Sequence, residues 1–90
     1  MSHDPQVVRR KRLLHHARYR GFKEADLLIG GFADCALSAM SEPELDAFEA
    51  ILSFNDHDIY GWIMGTTEAP AMIDQRLIAR LRAFDASKRA

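Results

Sequence analysis

The stretch SEPELDAFEAIL, Ser41–Leu52, is the most legible part of this 90-residue chain. Ser41 can accept from the N–H of Glu44, and the Glu44 carboxylate can reach back to the N–H of Ser41, the reciprocal pattern that opens a helix. Leu45, Phe48, Ile51 and Leu52 follow at spacings of three, three and one, which gathers them on one core-facing side, while Glu42, Asp46 and Glu49 face outward. Working outward, no sustained period-two alternation with hairpin turn signals, no internal repeat and no Pro/Gly-rich linker interrupts the chain. Helix is therefore expected throughout.

Upstream, Asp4-Pro5 reads as an N-cap followed by proline at the first helical position, where a missing N–H costs nothing. A first helix should run to about Tyr19, with Leu13, Leu14 and Ala17 on its buried side, and Gly21 can close it. A second helix is expected from about Lys23 to Leu37, with Phe22, Leu28, Phe32 and Cys35 as its apolar stripe, widened by Leu27 and Ile29. Gly30-Gly31 weakens its middle, which suggests either a kink or the close approach of a neighbouring helix. Downstream, Asn55-Asp56 offers a stop and a new cap for a short fourth helix, about His57 to Met64, which Gly65 ends. After a turn from Thr66 to Ala69, Pro70 can open a fifth helix in which Ile73, Leu77, Leu81 and Phe84 repeat. The expected architecture is an all-α, single-domain five-helix bundle over residues 1–90, ordered from about 5 to 86, with frayed termini beyond, Ser87–Ala90 among them.

Composition narrows the function. A chain of this size encloses one apolar core and has little interior left for a deep pocket, which weighs against a classical enzyme. Cys35 is the only cysteine, so this chain alone can build neither an internal disulfide nor a thiolate zinc cluster. No segment approaches the roughly 18 apolar residues that spanning a bilayer needs, and the polar start carries no apolar leader, so a soluble, cytoplasmic protein is expected. The net charge of -1 is unevenly spread: residues 1–23 sum to +6, residues 24–74 to -11, and residues 75–90 to +4. Either the two basic ends meet the acidic centre within the fold, or oppositely signed faces are offered to a partner.

Chemical motifs are sparse. There is no phosphate loop, no dinucleotide-binding glycine fingerprint and no nucleophile elbow, so no catalytic residue is assigned. His15 and His16 are adjacent on a helix and diverge by about 100°, so they cannot share a metal. His57 with Asp56 and Asp58 could be an acid/base or metal cluster, but Asp56 is better explained as a cap, and no metal site is assigned. Cys35, among apolar residues, reads as an inert core thiol. The basic first helix, Arg9 to Arg20, invites a nucleic-acid reading, but it lacks interleaved aromatics and has a buried side of its own. Trp62 is expected in the core, whereas Tyr60 and Met64 could be either core or interface anchors.

The run Arg20-Gly21-Phe22-Lys23-Glu24 joins the first two helices. Taken alone, Gly21 is a helix-closing glycine and Glu24 a favourable charge in a first turn. The wider run RGFKEADLLIGGFAD, residues 20–34, resembles the R-G-x-x-E signature and following helix of the FAD assembly factor (SdhE-type) family, bacterial relatives of the mitochondrial succinate dehydrogenase assembly factor. RRKRLLHHARYRG before it, then LSAMSEPELDAFEAIL and NDHDIYGWIMG after it, fall in the family's order and spacing, so the likeness covers about Arg9 to Gly65. Phe22 stands where methionine is common, Ala25 where a leucine or other bulky or acidic residue is common, and Gly31 where arginine is frequent.

The resemblance implies a non-enzymatic five-helix factor that binds the flavoprotein subunit of succinate dehydrogenase, or of fumarate reductase, and promotes covalent attachment of FAD to a histidine of that subunit. It implies partner-binding roles for Arg20, Gly21, Phe22 and Glu24, with His16, Arg18, Asp26 and Tyr60 as secondary candidates. FAD would be the partner's cofactor, not one held stably here, and the free chain would be a monomer that neither binds nucleic acid nor enters a membrane. The rival expectation is a nucleic-acid-associated or antitoxin-type binding module using the basic first helix.

Overall fold

The computed structural model describes residues 4–18 and 23–89, apart from the side chains of residues 86, 88 and 89. Among these residues five helices form, with no strand, in an all-α arrangement. The first, α1 (Pro5–Arg18), begins where Asp4 Oδ1 accepts from the Gln6 N–H at 2.9 Å and the Asp4 carbonyl accepts from Val7 and Val8. Leu13 and Ala17 are buried and Leu14 packs half-buried beside them. The expected end near Tyr19 lies outside the described residues.

The second helix, α2 (Lys23–Ala36), passes into a single 3-10 turn, Leu37–Ala39, that the expected continuous helix to Leu37 did not include. Its apolar stripe also differs from expectation. Ala25, Leu28, Ile29, Phe32, Ala33 and Ala36 are buried, whereas Leu27 is 68% exposed and Cys35 is exposed. Leu27 and Ile29 are two residues apart and so point about 160° from one another; only Ile29 can face the core. Cys35 sits at the edge of the arc, because α1 packs over the alanine side of α2 and turns that side inward. The expectation of a core thiol is therefore wrong. Phe22, the other member of the expected stripe, lies outside the described residues.

Next come α3 (Glu42–Leu52) and α4 (Asp56–Met64). The capping box is present: Ser41 Oγ accepts from the Glu44 N–H at 3.4 Å, and the Ser41 N–H donates to Glu44 Oε1 at 3.1 Å. Leu45, Phe48, Ile51 and Leu52 are all buried. The cap of α4 is Asn55, whose Oδ1 accepts from the Asp58 N–H at 2.9 Å, so Asp56 is the first helical residue and not the cap. Gly65 closes α4 with φ +83°, a left-handed conformation that a side chain would strain, and its N–H donates to the Gly61 carbonyl at 2.9 Å. Trp62 is buried, edge-on to Phe54 at 5.0 Å between ring centroids, while Tyr60 and Met64 pack half-buried against the core.

The last helix, α5 (Gln75–Arg89), starts five residues later than Pro70 would suggest. Asp74 Oδ1 accepts from the N–H groups of Arg76 and Leu77 at 2.9 and 3.2 Å, so this aspartate sets the start. Pro70 instead begins a turn closed by the Ile73 N–H at 2.9 Å. At the other end α5 continues through Ser87 to Arg89, past the point where fraying was expected; Ser87 Oγ donates back to the Phe84 carbonyl at 2.7 Å, a bond within the helix.

Phe32 is the hub of the core. Its ring lies 6.0 Å from that of Phe48 on α3 and 5.9 Å, edge-on, from that of Phe84 on α5, and the Arg80 guanidinium sits 5.5 Å from its centroid. Around it the buried apolar side chains of all five helices form one continuous cluster.

Candidate functional site

Part of the uneven charge seen in the sequence is paired inside the fold. Arg9 donates to Asp46 and, at 2.9 Å, to Glu49, and Arg12 lies 3.7 Å from Glu49, so the basic face of α1 is set against the acidic face of α3. Hydrogen bonds to Asp46 and then Glu49 raise the Arg9 pKa. Arg10 donates to the carbonyls of Leu37 and Met40 at 3.0 and 2.8 Å, closing the 3-10 turn, and Arg82 places two N–H groups on the Trp62 carbonyl near the end of α4. Arg80 reaches Glu44 at 3.0 Å; the N–H and hydroxyl of Ser41, with Arg80 behind them, hold the Glu44 carboxyl below its usual range.

A different environment surrounds the junction of α1 and α2. Asp26, Gly30 and Asp34 recur every four residues along α2, one stripe of that helix. With Arg18 from α1, Gly31 and the exposed Leu27, they line an open groove. Arg18 donates to Asp34 across it. Gly30 explains how close the two helices come: a Cβ added there would stand 3.0 Å from Arg18 Cγ and 3.2 Å from Arg18 Cα. Of the two readings left open for the glycine pair, close approach is the one realised at Gly30. A Cβ at Gly31 would meet the ring of Phe84 at 3.3 Å, so that glycine faces α5.

Arg20, Gly21 and Phe22 lie outside the described residues. Glu24, the fourth of the principal candidates, is exposed on the first turn of α2. His16 and Arg18 are exposed toward the end of α1, and Arg18 and Asp26 share the groove. Tyr60 belongs to α4, half-buried against the core. His57 is exposed on α4, and the Asp58 carboxylate accepts from Asn55 Nδ2 at 2.9 Å, which ties it to the helix cap. Among the described residues no three His, Cys, Asp or Glu side chains gather where they could hold a metal ion, and no helix is long and apolar enough to cross a membrane. Two members of the junction region escaped the sequence reading, Leu27 as an exposed apolar side chain and Asp34 as the partner of Arg18. The four-residue recurrence of Asp26, Gly30 and Asp34 was the available signal for the second.

Residues 11–85 match a family described as the flavinator of succinate dehydrogenase. The chain belongs to this family. A relative from Saccharomyces cerevisiae (strain YJM789), the mitochondrial succinate dehydrogenase assembly factor 2, is 33% identical over 91 residues, covering 97% of this chain and 56% of the relative. Its namesake from Komagataella phaffii is 32% identical over 90 residues, covering 96% and 47% respectively. That from Candida glabrata is 46% identical over 55 residues, 61% of this chain and 36% of the relative. The chain thus spans about half the length of the full-coverage relatives. Membership in the flavinator family extends over both sides of the α1/α2 junction and takes in the whole run Arg20–Glu24.

Proposed function

We propose that this chain is an assembly factor that binds the flavoprotein subunit of succinate dehydrogenase, or of fumarate reductase, and promotes covalent attachment of FAD to that subunit. The observation that carries the reading is the family match through residues 11–85, with the R-G-x-x-E run inside it. Arg20 and Glu24 make charge-assisted hydrogen bonds that fix the partner's orientation, Gly21 lets its main chain come close, and Phe22 adds apolar contact. His16, Arg18, Asp26 and Tyr60 contribute secondary contacts. The exposure of Glu24, His16 and Arg18 around one junction supports this assignment.

The chain supplies no catalytic group and holds no FAD stably of its own. Bond formation belongs to the flavoprotein, and the factor favours the conformation in which FAD, the receiving histidine and an active-site acid are aligned. When free it is a monomer, and it acts in the cytoplasm. Pairing of Arg9, Arg10, Arg12 and Arg18 within the fold favours this reading over a nucleic-acid module. Coexpression with the flavoprotein subunit tests the proposal: in-gel flavin fluorescence of that subunit rises with the wild-type chain and falls to the level without it for Gly21→Arg and Glu24→Ala. Full labelling with both variants removes these residues from the site.

A further inference from the structure

We propose that Gly30 and Asp34 are positioning residues for partner docking, holding the end of α1 against the middle of α2 so that Arg18 on α1 and Glu24, the α2 member of the Arg20–Glu24 run, keep a fixed separation. The inference rests on the docking role proposed above for that run and extends it to two residues of α2 that lie outside it.

The geometry is specific. Lys23 to Gly30 spans about 10 Å of helix, so the neighbour of Arg18 on α2 is not the first turn but the middle. Two independent contacts hold it there. The backbone of Arg18 comes so near Gly30 that a methyl group at that position would stand 3.2 Å from its Cα, closer than nearly all ordinary contacts. One turn further along α2, Asp34 takes the Arg18 guanidinium. Ala17, fully buried, completes the seat, its carbonyl 3.6 Å from the same added Cβ. The contact at Gly30 involves backbone, which a methyl group displaces as a unit. At Gly31 the facing atoms belong to the Phe84 ring at 3.3 Å, a side chain of α5 that also packs edge-on against Phe32. Both substitutions raise helix propensity alike. The neighbouring glycines are therefore matched probes, one of the α1 seat and one of the α5 packing.

The test measures affinity for the purified flavoprotein subunit by calorimetry, alongside the melting temperature of the full chain. Gly30→Ala is expected to weaken binding about tenfold while melting near the wild type, and Gly31→Ala to bind within about twofold of wild type, effects within the range of coupled sites. Asp34→Asn is expected to weaken binding several-fold and Asp34→Glu, which keeps the carboxylate, to restore most of it, a rescue that a merely structural role would not produce. If Gly30→Ala does not fold, the Asp34 pair decides. Binding within about twofold of wild type by both Gly30→Ala and Asp34→Asn, while Glu24→Ala loses binding, overturns the positioning role and leaves the docking reading standing. Wild-type affinity in both Gly21→Arg and Glu24→Ala overturns the docking reading, and this inference with it.

Discussion

In α3, Leu45, Phe48, Ile51 and Leu52 are all buried, the acidic residues lie outside, and a complete capping box opens the helix. In α2, which is three residues longer, Leu27 stands 68% exposed and two glycines occupy the middle, where they weaken a helix. Both helices contribute to the same core through Phe32 and Phe48. The difference lies in their second faces. Among the described residues the acidic side chains of α3 pair with arginines of α1 and α5, whereas the second face of α2 carries the seat for α1 at Gly30 and exposes Glu24. A helix that serves the core alone satisfies every local rule at once; one that must also receive another backbone and present a surface departs from them at those positions.

The core side of α3 is most sensitive at Phe48, which is fully buried. Phe48→Ala should cost about 3–5 kcal/mol in denaturant unfolding, a large share of the stability of a small domain. A loss under about 1 kcal/mol would mean that the α2/α3 contact is not central to the core. Ser41→Ala should cost about 1 kcal/mol through the lost cap of α3, measured the same way, and an unchanged midpoint would show that the capping box is ornamental. On the second face of α2, Leu27→Gln should leave stability within about 0.5 kcal/mol; a larger loss would place Leu27 in the core after all.

The smallest effect concerns pH. The Glu44 carboxyl is lowered in the folded chain, first by the Ser41 N–H, then by its hydroxyl, with Arg80 contributing. Its contribution to stability is complete above the ordinary value of 4.5 and is lost as pH falls through the lowered folded value. Melting temperatures taken across that window should fall less steeply in Glu44→Gln than in the wild type, and parallel slopes would contradict the assignment.

The same contrast explains what the sequence made legible. The start of α3, the burial of its four apolar residues and the closing glycine of α4 were readable because each is decided within one or two turns of chain. The exposure of Cys35 and the start of α5 were not. The first depends on which side of α2 receives α1, a choice made by residues at least 17 positions away, from Arg18 back; the second depends on Asp74 outcompeting Pro70, two start signals of comparable local strength. Charge segregation was visible, but it took pairs such as Arg9–Asp46 and Arg80–Glu44 to reveal that part of it is spent internally. Of the candidate site, Glu24, His16, Arg18 and Asp26 fall near the end of α1 or the start of α2, Tyr60 lies on α4, and the roles proposed for Arg20, Gly21 and Phe22, outside the described residues, come from the resemblance alone.

Docking of the partner at the end of α1 and the start of α2 is checked by hydrogen exchange on the chain with and without the purified flavoprotein subunit. Protection should concentrate in peptides covering residues 18–31, with the amides of α3 exchanging as in the free chain. Protection confined to α3 and α5, with the junction unchanged, would contradict it.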